Sequence, residues 1–365
     1  MTSWTLRHCV KGMRPLAALP NALIVHVGGA IYKVGPDLQG MKLLCSLPAT
    51  SFVTRLAKHF RLLDRVFRAS PNHAAVFDNM IFIARRSEIW CYDLKDGRLS
   101  LDFRIPDNRR SLGFGFVSHS DGSEEIVFGE YFSNPTRLPV RIWGRKAGPA
   151  KWVQRAKFAE GQIEHVHALT CINGQVFVLT GDFGQAAGIW IADTNFDVLR
   201  PLVRGQQSFR AAWMEAIDGR IFMATDTQLE LNQLYGIQMG NSGEITFNPL
   251  LCLDGSSIYA GRGPADIFFS TTVECGEPTG NLVRDLLDTR LGPGMLSSKA
   301  TLMTVDRDGR ISQIYSAEKD AWPFRLAQFG TFTFPAGNMP PDTLFAYGVA
   351  LNGVDDTCMV FHRSK

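Results

Sequence analysis

The sequence predicts an all-β fold, a single β-propeller of seven blades whose ring is closed by strands from the two chain termini. Three observations carry this. One unit recurs: an apolar strand, a tight turn, then a second apolar strand ending in a charged residue, as in residues 165–182 and 210–226. Weaker copies run from Phe67-Arg68 to Arg85-Arg86, through Ser123 to Glu130, and from Ile258 to Glu274. A period of roughly 40–60 residues is that of a repeated small antiparallel sheet. Finally, Asp78-Asn79, Asp121-Gly122, Asn173-Gly174, Asp218-Gly219, Asp308-Gly309 and Asn352-Gly353 separate apolar runs. Such pairs supply the two φ > 0 residues that match the twist of a hairpin.

Read between these turns, the blades cover residues 14–47, 66–105, 112–158, 163–203, 208–252, 256–318 and 326–365. Trp4 to Val10 supply a strand to the last blade, which removes an open sheet edge. A six-bladed ring is the alternative, if the first segment is irregular. Two segments break the repeat. Residues 50–65 have helical spacing, with Phe52, Leu56, Phe60 and Leu63 on one side. This predicts a short helix packed beside the propeller, the basic character leaving a membrane-surface helix as the alternative. Residues 275–298 form a Gly/Pro-containing insertion with a helical piece from Leu282 to Leu287; insertions of this kind sit on one face and shape a site.

Composition narrows the class. The chain has 365 residues, 45% of them hydrophobic, with 38 basic against 35 acidic side chains and a net charge of +3. That balance names no polyanionic partner by itself, and no basic stripe with interleaved aromatics points to nucleic acid. No run approaches about 20 apolar residues, so no membrane span is expected. The first 16 residues lack a long apolar run and a small-residue cleavage pattern, which points to a cytoplasmic location. The seven scattered cysteines fit reduced thiols, without CxxC or HExxH spacing. Gly28-Gly29 lacks the rest of a dinucleotide fingerprint.

Blade geometry then places the charges. The first strand lines the channel and the second returns antiparallel, so the start of one and the end of the other share a rim. Strand starts contribute Arg68, His165, His167, Arg210 and Arg325; strand ends contribute Arg85, Glu130, Asp182, Asp226 and Glu274. The pairs Phe67-Arg68, Phe209-Arg210 and Phe324-Arg325 each precede an inner strand. Converging guanidinium groups suit a carboxylate or sulfate through their planar fork, although each arginine can instead staple the rim to a neighbouring acid. Glu130, Asp182 and Asp226 emerge from rigid strands, and a pair of carboxylates with one protonated is what glycosidic cleavage demands. In an alternating strand His165 and His167 face the same way, so the two imidazoles contact a ligand, share a divalent cation, or serve the fold. The 130–137 loop adds Tyr131 and Asn134, and the 226–232 loop adds Glu230 and Asn232, a mixture of amides, acids and an aromatic that suits sugar hydroxyls and ring faces.

The runs 128–143, Ile163-Glu-His-Val-His167, Thr180-Gly-Asp182 with Gly188-Ile-Trp190, Arg204 to Ala211 and Ala224-Thr-Asp-Thr227 resemble, as a set spanning roughly 65–352, sialidase-like (BNR or Asp-box type) propellers associated with bacterial exopolysaccharide genes. The box itself survives only as Ala192-Asp-Thr-Asn-Phe-Asp197. The resemblance implies a propeller and a glycan context. The resulting expectation is a carbohydrate-active propeller that binds an acidic poly- or oligosaccharide, with glycoside hydrolysis as its chemistry if it is catalytic. Glu130, Asp182 and Asp226 act as acid and base, His165 and His167 assist, and Arg68, Arg85, Tyr131, Asn134, Arg210, Glu230, Asn232, Glu274 and Arg325 bind substrate. No cofactor is expected, a divalent cation at His165 and His167 being the alternative. Two other readings stand beside it: a non-catalytic scaffold for polysaccharide-synthesis enzymes, and a metal-assisted polysaccharide lyase.

Overall fold

The repeats fold into sheets because each supplies short β-rich runs punctuated by turn residues. A computed structural model describes residues 3–49, 52–57, 59–240 and 244–364. Four-stranded antiparallel sheets cover residues 14–46, 73–104, 115–158, 165–204 and 211–253, each in simple up-and-down order. The sixth blade, 256–318, has the same order, and the seventh joins Gly330–Thr333, Thr343–Val349 and Thr357–Arg363 to the N-terminal strand Trp4–Lys11. That strand pairs antiparallel from Trp4 opposite Arg363 to Lys11 opposite Thr357. The first segment is a regular sheet, so the ring has seven blades rather than six. One departure appears: Thr272 and Val273 pair with Thr331 and Gly330, which merges the sixth and seventh blades into one sheet.

Second strands read as continuous apolar runs because both faces pack on neighbouring blades; Ile81, Phe82 and Ile83 are fully buried. Apolar clusters join each blade to the next. Val127, Ile142 and Phe158 pack on Val166, Val178 and Trp190. The ring closes where Leu23 and Val25 of the first blade meet Phe345 and Phe361 of the last. Asn173 (φ 51°) and Gly174 (φ 74°) turn one hairpin, and Asp218 (φ 45°) and Gly219 (φ 76°) turn the next.

The expected single helix over 50–65 is two short ones, α1 (Phe52–Ala57) and α2 (Arg61–Phe67), because Phe60 between them is extended (φ −125°, ψ 106°). Phe60 is exposed while Leu56 and Leu63 are half-buried, so the four residues do not form one buried stripe; the Phe52 side chain lies outside the described residues. Charge anchors α2 instead. Arg61 pairs with Asp64 and Asp355, and the buried Arg65 pairs with Asp320. The insertion carries α3 (Leu282–Leu286), capped by the Asn281 side chain on Arg284 N, and α4 (Phe324–Ala327) precedes the last blade. Cys91, Cys275 and Cys358 are buried, whereas Cys9 and Cys252 are exposed. No described helix is long and apolar enough to cross a membrane.

Candidate functional site

Two adjacent blades build one buried cluster. His165 and His167 open the innermost strand of the fourth blade, His165–Ile172, and Asp182 follows its partner Gln175–Gly181. Arg210 immediately precedes Ala211–Ile217 in the fifth blade, and Asp226 follows Arg220–Thr225. Antiparallel pairing puts start and end at one rim: His165 sits opposite Gly181, and Asp226 N donates to Arg210 O at 2.9 Å. The register shifts between Val166 and Ala168, so His167 sits at a bulge; bulges re-aim a side chain. Gly181 makes room for it, since a Cβ there would lie 2.3 Å from His167 Cε1 and Nε2.

The histidine Nε2 atoms lie 3.0 Å apart, and Asp182 Oδ1 lies 3.3 Å from the first and 3.1 Å from the second. Each Nδ1 faces a backbone carbonyl, His165 toward Phe132 O at 3.2 Å and His167 toward Ala211 O at 3.0 Å. A carbonyl only accepts, so each Nδ1 carries the proton and each Nε2 presents a lone pair. With both rings neutral, three acceptors face one another, an arrangement that a bound cation or a proton shared with Asp182 relieves. Nitrogen and carboxylate donors separated in this way match cis positions around an ion at about 2.1–2.2 Å. Two imidazoles and one carboxylate suit a divalent transition metal, and the Nδ1–carbonyl bonds are the outer support such ligands use.

Charge around the cluster is graded. Burial pushes the Asp182 carboxyl up, but His165, His167 and the Arg210 guanidinium outweigh it and hold the group well below the usual carboxylate range. Burial raises Asp226 well above that range despite Arg210, with Glu274 and Asp182 adding repulsion. Glu274, buried and accepting from the Ser256 hydroxyl, is raised for the same first reason. Burial lowers the His167 imidazole despite the Asp182 contact. Arg210 Nη2 reaches Asp182 Oδ1 at 3.1 Å and Asp226 Oδ2 at 3.7 Å. The Tyr131 ring lies 4.3 Å from that of His165, and burial together with Asp182 and Asp226 raises its phenol.

Other expected residues lie elsewhere or are engaged by the fold. Glu130 is fully buried in a cage. Its Oε2 accepts from Arg109 Nη1 (2.5 Å) and Arg141 N (2.9 Å), and its Oε1 from Arg141 Nη1 (3.2 Å) and Trp143 Nε1 (3.1 Å). It acts as a staple between loops, with both oxygens doubly engaged. Asn134 spends its amide on Leu138 N, Leu138 O and Glu164 O, and Asn232 spends its own on Thr225, Thr227 and Glu230. Both therefore hold loop turns. Glu230 is exposed, away from the cluster, with its charge felt by Tyr235. Arg85 bonds Pro48 O at 2.7 Å and lines a separate cavity of about 330 Å³ with Arg14 and His26. Arg68 and Arg325 do share a cleft, but with Arg86 and Arg110 rather than Arg210. The Phe-Arg pairs divide because Phe209-Arg210 abuts its strand, whereas Arg68 follows α2 and Arg325 lies inside α4.

Gln207 is a residue that the repeat pattern misses: its Nε2 donates to Asp182 O at 3.0 Å and its Oε1 accepts from Thr227 Oγ1 at 3.0 Å. Its position three residues before Arg210 in a tight turn offers no periodic signal. Ser256, against Glu274, is legible only as the start of an inner strand.

No family model matches the sequence, and no curated protein matches it. Solved structures do. The chain is similar to an oligogalacturonate lyase in complex with manganese, at 8% identity and a TM-score of 0.59 over 98% of this chain and 90% of that one. A second oligogalacturonate lyase, from Vibrio parahaemolyticus, gives 8% and 0.58 over 100% and 97%. The Cps50 (Swd1) β-propeller domain of Myceliophteria thermophila gives 8% and 0.55 over 99% and 100%. None of the three is a sialidase. At such identity the likeness establishes the fold alone: this chain is a β-propeller.

Proposed function

We propose that this chain is a carbohydrate-active propeller that holds a divalent cation at His165, His167 and Asp182 and cleaves an acidic oligo- or polysaccharide by elimination. The observation that carries the reading is the meeting of three lone-pair donors within 3.0–3.3 Å, each histidine oriented through its other nitrogen. When bound, such an ion supplies Lewis acidity, which draws charge from a substrate carboxylate and makes the adjacent C–H more acidic. The chain's residues supply the rest. Phe132 O and Ala211 O fix the imidazoles, and Arg210 offsets the clustered negative charge. Asp226, whose Oδ1 is buried without a hydrogen-bond partner, serves the elimination from one place: its carboxylate takes the proton of the acidified C–H, and the carboxyl so formed, favoured by burial, gives that proton to the leaving oxygen. Tyr131 covers His165 with an aromatic face and restricts water.

Elimination is favoured over hydrolysis because the cage around Glu130 withdraws one of the three expected carboxylates and the histidine cluster engages Asp182. The likeness to a manganese-bound lyase supports this choice at the level of fold. Incubation with polygalacturonate and Mn²⁺ tests it: the expected result is a metal-dependent rise in ultraviolet absorbance from an unsaturated product. Cleavage to saturated ends, unaffected by chelator, would favour hydrolysis. Absence of both metal and glycan binding would favour the scaffold reading.

A further inference from the structure

A cleft of about 260 Å³ is lined by Arg68, Arg86, Arg110 and Arg325, with Val66, Phe67 and Asn72. Some arginines elsewhere on this chain have acids, as Arg61 has Asp355, Arg65 has Asp320, Arg109 has Glu130 and Arg363 has Asp266, whereas Arg14, Arg137 and Arg204 bond backbone carbonyls. The four of the cleft have no acid within ion-pair distance among the described residues. Arg325 donates to Gly276 O at 2.7 Å and Arg86 reaches Phe67 O at 3.4 Å, while the Arg68 and Arg110 side chains make no hydrogen bond there. Asp285, Asp288 and Glu274 feel Arg325 only at longer range. Four like charges around one recess repel one another and focus a positive potential into it.

Two of them also occupy backbone that disfavours arginine. Arg68 caps α2 in the left-handed region (φ 47°, ψ 51°), and Arg86 has φ 55° in a strand turn. Glycine is the residue that such positions favour. The cleft adjoins the metal cluster through one residue. Arg110 and Tyr131 exchange backbone hydrogen bonds of 3.0 and 2.8 Å, and the Tyr131 ring lies 4.3 Å from that of His165.

We infer that this cleft is a second anion subsite, so that the ligand carries at least two acidic groups on neighbouring units: an acidic oligosaccharide rather than a single acidic sugar. This deepens the proposed function and rests on its acidic-glycan reading. A planar carboxylate or sulfate is taken bidentately by guanidinium forks, while the first acidic group sits at the histidine cluster.

Calorimetry on the full chain tests the inference with galacturonic acid, its trimer, sodium sulfate and MnCl₂ as separate titrants. At low salt the trimer is expected to bind at least about tenfold more tightly than the monomer, with the advantage shrinking in high salt. Arg110→Ala and Arg68→Gly are each expected to weaken the trimer about tenfold and to leave monomer and Mn²⁺ affinities unchanged. Arg68→Gly is expected to melt no lower than the parent, which separates lost binding from lost folding. Equal affinity for monomer and trimer, trimer binding indifferent to both substitutions, or failure of both trimer and sulfate to bind would overturn the inference. Failure of Mn²⁺ alone, with the arginine dependence intact, would overturn the metal reading and leave the subsite standing.

Discussion

Arg210, from the fifth blade, lies 3.1 Å from Asp182 Oδ1 at the end of a strand in the fourth. Their side chains are only 7% and 23% exposed, and Asp226 lies 3.7 Å from the same guanidinium nitrogen. A buried cation thus balances acids from two repeats. Arg210→Ala is expected to lower stability by about 3–5 kcal/mol, because it leaves those carboxylates buried without a counter-charge. Urea unfolding at neutral pH checks this, and a loss below about 1 kcal/mol would show that the acids do not depend on Arg210.

Gly181 is the space into which the His167 imidazole fits. Gly181→Ala would put a methyl group 2.3 Å from Cε1 and Nε2 of that ring. The expected outcome is a fall in Mn²⁺ affinity of about 10–100-fold, the range for losing ligand orientation, with the far-ultraviolet spectrum of the propeller retained. Unchanged affinity, measured by calorimetry, would remove His167 from the ligand set.

Glu130 provides the contrast. Its carboxylate is fully buried against Arg109, so Glu130→Gln strands a guanidinium and is expected to cost about 3–5 kcal/mol of stability. Turnover per folded molecule should persist. A variant that folds like the parent yet loses turnover would return Glu130 to the catalytic set.

Acid sensitivity has a locatable contributor where α2 meets the last blade. Burial raises the Asp355 carboxyl, but hydrogen bonds from Arg61 Nε (3.1 Å) and Nη2 (2.9 Å) dominate and depress it. A carboxylate depressed by folding stabilises above its unfolded pKa, near 3.9, and loses that contribution as pH falls through the lower folded value. Asp355→Asn is expected to cost about 1–2 kcal/mol at pH 7. The gap between variant and parent should begin to narrow below about pH 4 and close only as pH passes the lower folded value. Melting curves across this pH range decide it; a gap that persists in acid would assign the loss to packing.

The ring was legible in the chain because its causes are local. Asx-Gly pairs recurring between apolar runs set hairpins, and runs such as Gln175–Gly181 can be satisfied only between two neighbouring sheets. Closure by Trp4–Lys11 was legible too, since the last repeat lacks a fourth strand of its own. The convergence of His165, His167, Asp182, Arg210 and Asp226 followed from blade geometry alone. What repeat position does not encode is what each side chain meets. Glu130 and Asp182 hold equivalent places, yet Arg109, Arg141 and Trp143 enclose the first, whereas two imidazoles meet the second. The bulge at His167 and the gathering of Arg86 and Arg110 with Arg68 and Arg325 likewise depend on inter-blade packing. Periodicity along one chain determines which rim a residue reaches; contacts between distant segments determine whether its charge is consumed there or left available.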